Sequence, residues 1–250
     1  MRLFQFNILL NAAIVFAAFF FGSFCYAKLK VNFVQGKIEA IQDTENKSIA
    51  ILSISPDDVL PYNQLICSAK GSRAEFYIGS KVLRVGSLSV LSVLDENSFF
   101  LHSGSMLISF KQEAKITLSS FESNATFSGS GTILVETTKN GGFKFIPFEG
   151  RGILETVGGD SQEVKGGRLV LVLGKHSQLG DAYDLDLMLL LKTCRLINSF
   201  PDPLDTFGRI SLAVYSQELK LKGKYNALIG DATTDQNLQI WAFGEESQDE

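Results

Sequence analysis

From Lys28 to Gly174 one pattern repeats: short apolar–polar alternations stop at turn residues and then resume. Leu29, Val31 and Phe33 alternate with polar neighbours, as do Ala74, Phe76 and Ile78, and then Met106, Ile108 and Phe110. A period of two sends every second side chain to the same face, which is the signature of a strand buried on one side. Turn chemistry interrupts at Gly36, Asp43-Thr44-Glu45-Asn46, Ser55-Pro56-Asp57-Asp58, Gly79-Ser80, Asp95-Glu96-Asn97, Asn140-Gly141-Gly142 and Gly158-Gly159-Asp160. Turns this frequent, about every 8–12 residues, belong to all-β folds. The run Arg168 to Leu173 is almost wholly apolar, as a strand covered on both faces would be. The expectation is a mainly β protein: a glycine-turned roll, a solenoid-like stack or a sandwich.

After Gly174 the period changes. Leu187, Leu190, Leu191, Cys194 and Ile197 fall on one face at helical spacing, with Asp184 placed as a cap and Asn198 and Pro201 as a stop. Phe200 to Phe207 reads as a rigid linker, and Ile210, Ala213, Val214, Gln217 and Leu221 as a weaker amphipathic helix. From Gly230 the chain turns polar and acidic, the composition of a frayed end. The expected layout is an N-terminal signal or anchor over 1–27, a leading β-hairpin over 28–55 and a β domain over 56–174. A short C-terminal helical extension over 175–225 and a polar, partly disordered tail over 226–250 complete it.

The N-terminus sets the expected compartment. Arg2 precedes an apolar stretch, Ile8 to Phe21, and Cys25 and Ala27 stand where a signal peptidase needs small residues. A cleaved signal peptide, a retained anchor spanning Leu3 to Tyr26, and a lipidated Cys25 all remain open. Each places the rest of the chain outside the cytoplasm, with membrane contact only through this segment if it is kept. In such a compartment Cys67 and Cys194 are candidates for a disulfide; the alternative is two buried thiols, since both neighbourhoods are apolar.

Residues that carry chemistry are sparse. The formal charge of −4 argues against a nucleic-acid surface. Of the two histidines, His102 reads as a strand-end residue and His176 as a loop residue, and neither has partners at metal-ligand spacing. Gly129-Ser130-Gly131-Thr132 lacks the lysine of a phosphate loop and leads into a strand, so it reads as a backbone bend. The acid pairs Asp57-Asp58, Asp184 with Asp186, and Asp202 with Asp205 sit where turns and caps need them. No catalytic residue, cofactor or metal is expected. An unrecognised hydrolase would have to join Ser130 and His102 to an acid in space. Arg73 and Arg84 fall on neighbouring strands and share a face, a candidate surface patch for an anion.

Several of these segments, taken in order, resemble the FecR-like domain: Gly71-Ser72-Arg73-Ala74-Glu75-Phe76, Val82-Leu83-Arg84-Val85-Gly86, Ser103-Gly104-Ser105-Met106-Leu107-Ile108, Gly131-Thr132-Ile133-Leu134-Val135-Glu136, Gly141-Gly142-Phe143-Lys144-Phe145-Ile146 and Phe148-Glu149-Gly150. The resemblance runs from about Val59 to Gly174, with Phe148 where the family places leucine, and the helical tail resembles that of exported, Verrucomicrobia-type members. It implies an all-β periplasmic scaffold. The family's best-known members control a sigma factor through a cytoplasmic N-terminal module, for which Met1 to Asn7 are too few residues. The expected role is therefore a non-catalytic extracytoplasmic interaction or scaffold protein that docks onto an envelope protein or polysaccharide. The alternative is a sensory component acting through a partner.

Overall fold

The computed structural model describes residues 28–43, 49–174, 177–221, 227–228 and 241–242. Residues 1–27, expected from the sequence to be a signal or anchor, and His176 lie outside the described residues. So does most of the acidic tail, of which a two-rung ladder between Ala227–Leu228 and Trp241–Ala242 is described.

The protein is mainly β, with 57% of the described residues in strands and 13% in helices. The leading strands are β1 (Leu29–Gln35), β2 (Ile38–Asp43), β3 (Ile49–Ser53), β4 (Val59–Leu60) and β5 (Leu65–Ser68). Then come β6 (Arg73–Ile78), β7 (Lys81–Val85), β8 (Val90–Asp95) and β9 (Ser98–Ser103). Three long strands follow: β10 (Ser105–Ser119), β11 (Asn124–Thr137) and β12 (Phe143–Thr156). Short strands β13 (Ser161–Lys165), β14 (Arg168–Leu173), β15 (Gln178–Leu179) and β16 (Tyr183–Asp184) finish a sixteen-stranded sheet.

That sheet folds back on itself through β10, β11 and β12. The first half of β10 pairs with β7, while its last residues run parallel to β9. Likewise β12 pairs with β14 near its start and with β13 near its end. Each long strand thus belongs to two branches. In register, Phe127 faces Leu154 and Val135 faces Phe145, eight residues further along β11. At about 3.3 Å per residue a straight strand would hold those rungs roughly 26 Å apart. Yet the Phe127 and Phe145 rings lie 5.3 Å apart, centroid to centroid. The strands are folded in half.

Glycine makes the fold line. Gly129 pairs with Gly152 and Gly131 with Gly150, and φ is +152° at Gly131 and +91° at Gly150. A Cβ on Gly150 would overlap the carbonyl oxygen of Ser130, and one on Gly131 would overlap that of Glu149. The bend read from Gly129-Ser130-Gly131 is therefore this crease. Inside it, one apolar cluster gathers Leu29, Val31, Ile38, Phe76, Leu91, Phe99, Ile108, Phe127, Phe145 and Val170 from both branches. Within the segment 28–55, β2 and β3 pair antiparallel as a hairpin, β2 also pairs with β5, and β1 joins β6 and β4 in the other branch.

A second apolar cluster lies on the outer face, where Leu107, Leu134, Ile146, Phe148 and Leu169 meet the helices. These are α1 (Leu187–Thr193), α2 (Arg195–Asn198) and α3 (Phe207–Leu221). The cap of α1 is Asp186, which accepts from the Leu189 amide at 2.9 Å; Asp184 instead pairs with Arg168 at 2.9 Å. Cys194 adopts an extended backbone (φ −73°, ψ 103°) and divides what the periodicity predicts as one helix. No helix among the described residues is long and apolar enough to cross a membrane.

Candidate binding cleft and the buried arginine face

Arg73 and Arg84 do share a face, but Arg84 is not at the surface. It is 1% exposed, its Nε donates to Glu75 Oε2 at 2.5 Å, and its Nη1 donates to the carbonyls of Leu196 (3.0 Å) and Ile197 (3.2 Å). Nη2 donates to the Asp202 carbonyl at 2.7 Å, and the guanidinium lies 4.2 Å from the Phe200 ring centroid. Arg73 approaches the same ring from 6.0 Å. Burial lowers the Arg84 pKa, and its bond to the Glu75 carboxylate opposes that shift. The segment read as a bare linker is therefore the lid over this face, and Arg84 is its fastening. No anion patch exists at Arg84.

Cys67 and Cys194 are not joined by a disulfide. Cys194 packs in the helical cluster on the outer face, and Cys67 lies on β5 between β2 and β8 in the other branch. Burial, with the nearby Glu39, pushes the Cys67 thiol pKa up. The Ser130 and His102 of the hydrolase reading are in separate surroundings: Ser130 pairs with Arg151 at the crease, and His102 Nε2 sits 3.3 Å from Ser92 Oγ. Among the described residues no group of three metal-ligating side chains occurs.

The folding of the long strands has a topological consequence. The turns at the two ends of β11, Ser120–Ser123 and Thr138–Gly142, are far apart in sequence order along the strand but adjacent in space. The Ser120 hydroxyl donates to the Gly141 carbonyl at 2.5 Å, and the Glu122 amide donates to the same oxygen at 3.1 Å. The end of β9 joins them: the Gly104 amide donates to Thr137 Oγ1 at 3.0 Å, and the Thr137 amide donates to the Gly104 carbonyl at 3.0 Å. Gly104 has φ +87°, and a Cβ there would meet the Ser89 and Leu88 backbone.

Between these turns lies a cleft of about 230 Å³, lined by His102, Ser103, Ser120, Phe121, Thr137, Thr138, Lys139, Gly141 and Gly142. Its wall is aromatic. His102 and Phe121 line it, edge-on at 5.7 Å between centroids, and Phe100 backs them from β9 at 4.3 Å from the His102 ring and 6.0 Å from that of Phe121. Phe121 is 71% exposed although it sits on a turn fastened by the bonds just described. Partial burial lowers the His102 pKa, which favours the neutral imidazole. The sequence marks His102 only as a strand end and leaves Phe121 unnoticed. The missing signal is the crease, without which nothing relates residue 102 to residues 121 and 138.

No family model matches the chain, and no curated protein matches it in sequence. Among solved structures it is similar to the crystal structure of a candidate anti-sigma factor from Parabacteroides distasonis ATCC 8503. The two share 7% sequence identity over 72% of this chain and 98% of that one, with a TM-score of 0.40. A likeness this loose transfers no activity.

Proposed function

We propose that this is a non-catalytic, exported interaction protein built on a FecR-like scaffold, which docks onto an envelope protein or polysaccharide through the turn cluster around Phe121. The observation that carries the reading is a large apolar ring held in water on a rigid turn beside two further rings. An isolated exposed apolar residue needs no explanation, whereas a preorganised aromatic group is the material of recognition sites. Among the described residues, several buried ionisable side chains are paired with neighbours on the sheet and its turns. Glu75 pairs with Arg84, Lys144 with Glu136, and Lys81 with Glu96. Capture from the native envelope with the wild-type chain and with Phe121→Ala tests the proposal, with the mature N-terminus read by mass spectrometry in the same sample. Partners that disappear in the variant support it. Recovery of the protein from the cytosol with Met1 intact overturns it.

A further inference from the structure

We infer that the Phe100–His102–Phe121 cleft is a carbohydrate site that takes a sugar unit of an uncharged glycan chain. The inference rests on the preceding reading of the turn cluster as a docking surface and names its ligand class. A pyranose has an apolar C–H face and a rim of hydroxyls, so its complement is an aromatic face beside hydrogen-bonding groups. Weak C–H contacts to the negative face of a ring position the sugar, and the polar groups select it. The cleft supplies both. Phe121 offers an open ring, with His102 and Phe100 as the adjoining wall at interplanar angles of 72° and 87° to it, so the platform is bent and not flat.

The polar side is made of hydroxyls whose protons are already committed. Ser120 Oγ donates to Gly141 O, and Thr138 Oγ1 donates to Asn140 Oδ1 at 2.5 Å. Both residues line the cleft although they are otherwise buried, and a hydroxyl oxygen that has donated its proton can still accept one from a sugar. The His102 ring, with Nε2 on Ser92, adds a second ring nitrogen to the polar side, and partial burial favours its uncharged form.

Other ligand classes fit less well. Rings also attract cations, but no carboxylate stands among the residues that line the cleft to hold one. A protein anchor residue gains most in a deep pit that desolvates it, and the 71% exposed Phe121 rises beside the cavity without closing it. The volume matters too. Enclosed small-molecule sites run to roughly 300–1,000 Å³, and about 230 Å³ suits one unit of a longer chain lying across the surface.

Isothermal titration of the full chain with chitotetraose, cellotetraose and maltotetraose tests this, with Phe121→Ala and Phe121→Trp as variants. The expected result is saturable binding of at least one tetrasaccharide. Phe121→Ala should weaken it tenfold or more at an unchanged melting temperature, and Phe121→Trp should retain it. Failure of all three sugars to bind, or binding indifferent to Phe121→Ala, overturns the inference. The outcome for the docking reading is separable. If Phe121→Ala removes an envelope partner while no sugar binds, the surface stands and its ligand is a protein. If the variant changes neither measurement, both fall.

Discussion

Arg84 shows how far one side chain can carry a fold. It spends its donors on Glu75 and on carbonyls of a segment more than 100 residues later in the chain. Arg84→Ala would leave the Glu75 carboxylate, which is 5% exposed, without its charged partner and with only the Asn32 amide bond at 2.6 Å, and would leave buried carbonyls unpaired. Removing one member of a buried pair costs about 3–5 kcal/mol, to be read as a fall in the urea midpoint; a loss under about 1 kcal/mol would refute the fastening. Glu149 makes the second case. It is 4% exposed beneath α3, its Oε1 accepts from Thr132 Oγ1 at 3.0 Å, and Thr132 and Ser109 both bond Thr206 at 2.7 Å. Burial raises its pKa above 4.5, against the Thr132 bond and the charge of Arg209. The folded state thus holds this proton more tightly than the unfolded chain. The group's contribution to stability is full below the ordinary carboxyl value and is lost as pH rises through the raised one. Glu149→Gln keeps the acceptor and removes the ionisation, so its urea midpoint should gain on the wild type as pH rises from about 4.5 through neutrality. A constant difference across that range would refute it. Alternation in the sequence assigns Arg84 correctly to the face opposite Leu83 and Val85, but not what covers that face, because the cover comes from a segment with no periodic relation to β7.

At the scale of elements, the glycines of the crease and the caps of the helices carry the argument. Gly150→Ala places a methyl group on the Ser130 carbonyl oxygen at φ +91°, where both sterics and backbone oppose it. Its neighbour is paired backbone, which cannot move without opening the β11–β12 ladder. The expected outcome is loss of the folded state in circular dichroism and of soluble yield. Gly208→Ala is the control: nothing lies within 4 Å of its added Cβ, and it is in the first turn of α3. There the exchange should stabilise by up to about 1 kcal/mol. Equal effects at the two positions would refute the crease. Strand existence was legible in the sequence almost throughout, since period two and turn chemistry are local. The crease was half legible: Gly129-Ser130-Gly131 reads as a bend, but that Gly150 and Gly152 answer it across the ladder is a matter of register. The division of the first helix at Cys194 left no trace, because Cys194 still points to the apolar face that the spacing assigns to it.

For the molecule as a whole, the question is whether sheet and helices are one cooperative unit. The sequence divides them at Gly174, where the period changes, and treats the rest as an extension. The interface says otherwise. The outer apolar cluster draws Leu107, Leu134, Ile146, Phe148 and Leu169 from the sheet and Leu187, Leu190, Leu196, Leu204, Ile210 and Val214 from the helical layer. Each side chain of this kind gains roughly 1.5–3 kcal/mol from burial, so parting the layers exposes the sheet's outer face and the whole apolar side of the helices. Arg84 and the Thr206 network add polar bonds across the same boundary, which would be costly to leave unmet. Unfolding should therefore be a single transition for both layers. Cys194, buried in the helical layer, reports on it once Cys25 and Cys67 are replaced by alanine. In a urea series, the midpoint at which its thiol becomes reactive should coincide with the midpoint for loss of the β signal in circular dichroism. Reaction at distinctly lower urea, with the β signal intact, would mean that the helices detach first and that the outer face of the sheet can stand in water without them.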